Sequence, residues 1–246
     1  MRRSIPSRPW SPLYLALALA ACDESTDVLG GASGASPAAL TIKTGDQQET
    51  MVGWGPSAEP LVVLVTDSNG QGVPRTLVWW RIVSGSGDLC LGNGICRDSV
   101  PSSTNVQGEA GDVWFWPTEV GPIEVSARVP GLSGVVTFHL RTLGVVVGVW
   151  DWDGDGLCMD AARFVSPGGT DALTVPVGAR VQWHNQLQGC GHIQARIAST
   201  SGPTGVTFDS GPLDTDERFE FIPPVAGTWT YEDVYTGGTG TLIATP

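Results

Sequence analysis

The chain has 246 residues, and its 25 acidic side chains outnumber its 13 Lys and Arg, giving a formal net charge of −12 at pH 7. Such an acidic surface repels the phosphates of nucleic acids and of anionic lipid headgroups, so neither is an expected partner. Motifs of the H-E-x-x-H and G-x-S-x-G type and glycine-rich phosphate loops do not occur, so the sequence does not predict an enzyme.

The first residues have the pattern of an export signal. Arg2 and Arg3 precede a short apolar run, and small residues follow it up to Cys22. The ending Leu-Ala-Ala-Cys resembles the bacterial lipobox, which implies that residues 1–21 are a lipoprotein signal peptide and that Cys22 carries the lipid. The alternative is an ordinary signal peptide with a chance Cys. Removal of residues 1–21 takes away three arginines and no acid, so the formal charge of −12 becomes −15.

The rest of the chain divides into a tether and a series of strands. Residues 22–38 are rich in Gly, Ala and Ser without periodicity, which predicts a flexible tether. From Leu40 onward, short β-branched or aromatic runs alternate with turn residues, and no long helical repeat is present. The sequence therefore predicts an all-β protein. Because the strand series closes near Thr142 and restarts at Val145, we expect two β-sandwich domains in tandem, residues 39–142 and 145–246.

The first of these domains is identified by two stretches, "PLVVLVTDSNGQGVPRTLVWWRIVSGSGDL" and "TNVQGEAGDVWFWPTEVGPIEVSARVPGLSGVVTFHL". They resemble the bacterial immunoglobulin-like domains of invasin-type proteins, which implies a spacer or adhesive module. Its strand tryptophans are expected to pack between strands or in the core rather than to bind a ligand. They are Trp79, Trp80, Trp114 and Trp116.

The second domain is identified by "ALTVPVGARVQWHNQ", "GCGHI" and the hairpin "AGTWTYEDVYTGGTGTLIA". These stretches resemble the cupredoxin fold, a plastocyanin-like Greek-key sandwich whose copper is held by two His, a Cys and usually a Met. Matched to that pattern, His192 stands at a vestigial copper-ligand position, Asp233 replaces the Cys and Thr236 the second His. The resemblance therefore implies a cupredoxin-like domain that lacks most copper ligands, and type-1 copper is not expected.

Four further cysteines are available for two disulfides, as is typical of exported proteins. Three connectivities are possible, and sequence proximity favours Cys90–Cys96, which leaves Cys158–Cys190. An alternative use of Cys190 is a different transition-metal site, together with His184, His192 and Asp233. A disulfide at Cys190 would exclude it.

The segment Asp151-Trp-Asp153-Gly-Asp155-Gly has the opening half of a calcium loop, in which alternating carboxylates converge over a glycine turn. Ala162 stands where the closing Glu would be, and Asp160 is the nearest substitute. The prediction is a calcium site at Asp151, Asp153 and Asp155, and the alternative is a solvated acidic turn.

Taken together, these observations favour a non-catalytic, lipid-anchored envelope protein that binds a partner or acts as a scaffold. The partner would be an envelope protein or a glycan, on the periplasmic face or the cell surface. Two other functions stay open: a copper-binding electron carrier with altered ligands, and a carbohydrate-active or hydrolytic enzyme.

Overall fold

The computed structural model describes residues 35–152, 157–188 and 190–246, without the side chain of Trp152. The predicted signal peptide, Cys22 and most of the predicted tether lie outside these residues, as do Asp153 and Asp155. Over the described residues the regular structure is entirely β, which confirms the predicted fold class. In the same ranges, no helix is long and apolar enough to cross a bilayer.

Except for β10, the strands are short, as expected for β-branched runs interrupted by turn residues. In chain order they are β1 Ala39–Thr44, β2 Glu49–Val52, β3 Leu61–Thr66, β4 Leu77–Ser84, β5 Gly87–Leu91, β6 Cys96–Arg97, β7 Ser99–Ser103, β8 Glu109–Pro117, β9 Gly121–Arg128, β10 Val135–Trp152, β11 Cys158–Val165, β12 Ala172–Pro176, β13 Arg180–Asn185, β14 Ile197–Ser201, β15 Arg218–Phe221, β16 Gly227–Asp233 and β17 Thr239–Thr245.

The strands form three sheets. One has the order β1-β3-β8-β5-β6, and another has the order β12-β17-β16-β14. The largest follows the path β15-β13-β10-β9-β4-β7, and β2 and β11 also pair with β10. Strand β10 pairs antiparallel with β9 over its first half and parallel with β13 over its second half. The same strand thus contributes to both halves of the chain.

The two predicted domains are not separated by a break in the strands at Val145. Strand β10 runs without interruption from Val135 to Trp152. At Gly144 the backbone of β10 approaches that of β13 so closely that a Cβ would collide with the carbonyl of Arg180. Glycine is required there for close approach, not for a turn. Contacts join Ala35–Pro246 into one unit.

Two separate hydrophobic cores lie within that unit. In β3 the alternation of buried and partly buried residues places Leu61, Val63 and Val65 inside the first core, where Trp80 and Phe138 also pack. The second core is aromatic, and its larger members are Phe164, Trp183, Phe208, Trp229 and Tyr231.

The outward tryptophans of the first half follow the strand alternation. Trp80 is fully buried, whereas its neighbour Trp79 is exposed. On β8 the residue between the two tryptophans, Phe115, is buried, so Trp114 and Trp116 share the outer face, beside the Cys90–Cys96 disulfide. Packing in the core or between strands therefore explains the positions of some of the four tryptophans, whereas the Trp116 side chain remains exposed.

Candidate functional site: the closing hairpin and its surroundings

Strands β16 and β17 form a hairpin that packs against the second core, and Asp233 is the last residue of β16. Its side chain is fully buried. One carboxylate oxygen, Oδ1, accepts a hydrogen bond from the backbone N–H of Arg196 at 2.8 Å, and the other, Oδ2, accepts one from the Thr236 hydroxyl at 2.6 Å. Its backbone N–H donates to the carbonyl of Gly238. A buried carboxylate needs such donors because burial removes the water molecules that would otherwise hydrogen-bond to it.

Thr236 links the hairpin turn to strand β11. Its hydroxyl oxygen accepts a hydrogen bond from the backbone N–H of Ala162 at 2.8 Å while its proton is donated to Asp233. Gly238 lies so close to β11 that a Cβ would collide with the Ala162 carbonyl. The turn is therefore held closed by a chain of hydrogen bonds from Ala162 through Thr236 and Asp233 to Arg196.

The side chains at these positions do not fit type-1 copper. That site needs a thiolate and two imidazoles, with a weak axial ligand. Asp233 and Thr236 supply a carboxylate and a hydroxyl instead, and the oxygens of both already take part in the hydrogen bonds above.

His192, the proposed vestigial ligand, contacts a different residue. Its Nδ1 lies 4.0 Å from Oδ2 of Asp151, at the end of β10. Asp151 is fully buried, and its Oδ1 is 3.4 Å from the backbone N–H of Gln188. Both atoms, Nδ1 of His192 and Oδ2 of Asp151, are buried and have no hydrogen-bond partner among the described residues.

The alternative transition-metal cluster is not assembled. The structure contains the disulfides Cys90–Cys96 and Cys158–Cys190, so Cys190 carries no free thiolate. His184 has its own neighbours, with its Nε2 3.6 Å from Oδ1 of Asp216. Across the described ranges, no group of three or more His, Cys, Asp or Glu is placed to hold a metal ion.

Of the three predicted calcium ligands, the structure describes only Asp151, because Asp153 and Asp155 lie outside the described residues. The unpartnered oxygen of Asp151 faces an imidazole. Calcium prefers ligands that are all oxygen, so this neighbour does not suit it.

A pocket of about 440 Å³ lies on the outer face of the large sheet, away from the second core. Since alternate residues of a strand face opposite ways, the burial of Val147 and Val149 in the core puts Gly148 and Trp150 on the outer face. The pocket is lined by Gly53, Trp54, Val146, Gly148, Trp150, Val165, Ser166, Pro167, Gly169, His184 and Gln186.

Trp54 is the exposed aromatic side of this pocket, with 51% of its surface accessible. The guanidinium carbon of Arg218 lies 3.6 Å from its ring centroid, a cation–π arrangement, and the His184 ring meets it edge to face at 5.4 Å. Trp54 therefore packs against both a cation and an imidazole, although half of its surface is in solvent.

His184 is expected to be neutral at neutral pH. Burial lowers its pKa below the usual histidine value, and the positive charge of Arg218 lowers it further, while Asp216 opposes both effects. Among the described residues, no other titratable side chain lines the pocket. The lining therefore carries no charge near pH 7, which suits an uncharged ligand.

Sequence reasoning missed Trp54 and Arg218. The signal available was a tryptophan between two glycines in "GWGPS", directly after a strand, where a core residue is not expected. Nothing in the sequence indicated that Arg218, far along the chain, would stack on it.

Comparisons with known proteins give fold neighbours only. No family model matches the chain, and no curated protein matches it. Similar solved structures include a purple cupredoxin from Nitrosopumilus maritimus, 22% identical over 40% of this chain and 98% of that one, with a TM-score of 0.30. Auracyanin A, a blue copper protein from Chloroflexus aurantiacus, is 17% identical over 41% of this chain and 98% of that one, with a TM-score of 0.29.

A third neighbour is the D00-D0 domain of intimin, 19% identical over 46% of this chain and 50% of that one, with a TM-score of 0.34. Cupredoxins and an intimin domain are thus both among the neighbours of this chain. Identities and TM-scores this low carry no information on chemistry. The all-β class rests on the strands themselves.

We expect the purified protein to show no intense thiolate-to-copper absorption band when copper is added. The reason is that Asp233 and Thr236 occupy the hairpin positions at which the cupredoxin resemblance predicts Cys and His. Asp233→Cys alone should not create the band, because the second imidazole would still be missing. An intense visible band in the wild-type protein would show that the hairpin is matched to the wrong residues.

Proposed function

We propose that this protein is a non-catalytic, lipid-anchored component of the cell envelope that binds a partner or acts as a scaffold. Its second half is a cupredoxin-like domain that does not carry type-1 copper. The observation that supports this most directly is the closed set of hydrogen bonds at Asp233 and Thr236. A carboxylate committed to two donors keeps the hairpin together without metal, so the fold serves as a platform rather than a redox centre.

The lipid on Cys22 would tether the protein to the membrane through residues 22–38. The negative formal charge supports anchoring by the lipid alone, because an acidic surface gains nothing from anionic headgroups. The protein would face the periplasm or the outside of the cell, where its two disulfides are stable.

The partner would bind in the pocket beside Trp54. An oriented and half-exposed indole, a neutral histidine and the amide of Gln186 combine an apolar face with a few polar groups, which is the usual composition of a binding site. The absence of charged side chains in the lining favours a neutral group, either a sugar unit of an envelope glycan or an uncharged side chain of an envelope protein.

The test is capture of partners from solubilised native envelopes with the full protein as bait. The wild type and Trp116→Ala should retain the same partner, and Trp54→Ala should lose it by about tenfold or more, because exposed aromatic anchors contribute most to binding. Trp116 is the matched control, since it is also a partly exposed tryptophan, at 44%. Equal capture by all three baits would refute binding at this pocket.

Membrane attachment is measured in the same preparation. Wild-type protein should partition with the membranes, and Cys22→Ser should be released or remain as unprocessed precursor. Unchanged processing and partition of Cys22→Ser would contradict the lipid anchor without affecting the pocket.

A further inference from the structure

Another pocket lies on the large sheet, on the outer face of strands that belong to the first half of the chain. Its volume is about 570 Å³, within the range of about 300–1,000 Å³ that small-molecule sites occupy. The polar and aromatic part of its lining is one indole, two guanidiniums and two hydroxyls, and these five residues define the Trp79 face: Trp79, Arg81, Ser99, Ser126 and Arg128. Among the described residues, no acidic side chain lines this pocket.

The strand pairing brings the five side chains together. Trp79 of β4 lies opposite Arg128 of β9, and two residues further along β4, Arg81 lies opposite Ser126. On the other side of β4, Arg81 lies opposite Ser99 of β7. Residues two apart on a strand point to the same side of the sheet, and directly opposed residues stand side by side. Arg81 and Arg128 are therefore diagonal neighbours on one face, about 7–8 Å apart.

The two arginines have no anionic partner in the part of the chain that the structure describes. Both are exposed, and neither guanidinium takes part in an ion pair or a hydrogen bond there. Glu124, the acid of β9, lies opposite Ser84 and His139 instead. Two like charges are thus neighbours in a chain whose acids outnumber Lys and Arg by 25 to 13. An anion from outside the chain would relieve their repulsion.

The Trp79 side chain gives this charged place an apolar side. It is 37% accessible, and over the described ranges its indole makes no ring or cation contact, in contrast to Trp54. Val83 and Val135, each 57% accessible, line the same pocket. A free indole next to hydroxyls suits a ligand that has both an apolar surface and hydroxyl groups, as the C–H face of a pyranose ring has.

We propose that the Trp79 face binds a saccharide unit that carries a carboxylate. The guanidiniums of Arg81 and Arg128 would hold the carboxylate, since a guanidinium offers two parallel N–H donors that match its two oxygens. The sugar ring would lie on the Trp79 indole, and its hydroxyls would bond to those of Ser99 and Ser126. For Trp79, this replaces the sequence-based expectation that the strand tryptophans pack rather than bind a ligand.

The charge of the whole chain favours a ligand of low charge density. A formal charge of −12 repels nucleic acids and anionic membranes, whose phosphates are closely spaced, more strongly than it repels a single carboxylate. The Trp79 face shares no residue with the pocket beside Trp54, whose lining suits an uncharged group. The inference therefore stands or falls independently of the function proposed above.

The experiment is calorimetric titration of the full protein with an oligosaccharide of four galacturonic acid units, and with the same oligosaccharide methyl-esterified at its carboxylates. Wild type should bind the free acid saturably and the ester at least about tenfold more weakly, because the ester cannot accept charge-assisted hydrogen bonds. Arg81→Ala, Arg128→Ala and Trp79→Ala should each weaken binding of the free acid by about tenfold, since each removes one contact.

Two variants are matched controls. Arg141→Ala removes another exposed arginine of the large sheet, six residues beyond Val135 on β10 and so about 20 Å along the strand. Trp116→Ala removes an exposed tryptophan from β8, in a different sheet. Both should bind the free acid as the wild type does.

Failure of the wild type to bind the free acid, or equal binding of acid and ester, would overturn the proposal. Binding that survives Arg81→Ala and Arg128→Ala would do the same, and both variants change exposed side chains, so the conclusion does not depend on Trp79→Ala folding correctly. Inorganic phosphate and hexaglutamate distinguish other sources of negative charge. If either bound as tightly as the oligosaccharide, the site would recognise anions in general and the assignment to a sugar would be wrong.

Discussion

Asp233→Ala should lower the free energy of unfolding by about 3 kcal/mol, one of the largest effects expected for a single substitution in this chain. The substitution leaves the backbone N–H of Arg196 and the hydroxyl of Thr236 without their acceptor in a buried place. Each unpaired buried group costs about 1–3 kcal/mol. The measurement is urea unfolding of the full protein, followed by circular dichroism.

Two further variants identify the cause of that loss. Asp233→Asn keeps the size and one acceptor oxygen, so the Arg196 bond can persist and the loss should be about half as large. Asp88→Ala removes an exposed carboxylate from β5 and should change stability by no more than about 0.5 kcal/mol. If Asp233→Ala unfolded at the same urea concentration as Asp88→Ala, the hydrogen-bonded hairpin would not be a stabilising element.

Much of the fold could be predicted because strands are local patterns. The alternation in β3 and the turn residues that follow each run are contained in a few consecutive residues, and the two disulfides form between the cysteines that proximity favours. The continuity of β10 could not be predicted in the same way. A glycine inside a strand usually weakens it, and Gly144 indicates its packing role only when β13 lies beside it.

The candidate sites depended on contacts that sequence spacing does not encode. The resemblance to the cupredoxin pattern predicted that Asp233 and Thr236 stand at metal-ligand positions. It did not predict that Thr236 donates to Asp233, or that Asp233 accepts the backbone N–H of Arg196. It predicted a vestigial copper-ligand position at His192, whereas the structure places that imidazole, which lies in no strand, 4.0 Å from Asp151 of β10. A pairing between side chains from distant segments requires the tertiary fold.

Replacement of both Cys158 and Cys190 by Ser should destabilise the protein by about 3.7 kcal/mol. The entropy that a disulfide removes from the unfolded chain is a constant plus a contribution that grows with the logarithm of the loop length. The two cysteines are separated by 32 residues, against 6 for Cys90 and Cys96, for which the same relation gives about 2.2 kcal/mol. Changing both cysteines of a pair avoids leaving a free thiol. The measurement is urea unfolding under non-reducing conditions.

The double replacement of Cys90 and Cys96 is the matched control, and the difference between the two losses, about 1.5 kcal/mol, is the sharper quantity because errors in the constant cancel. Reductant added to the wild type should reproduce the combined loss. Equal destabilisation by the two replacements would mean that the longer disulfide distorts the native state by an amount that offsets its entropic advantage.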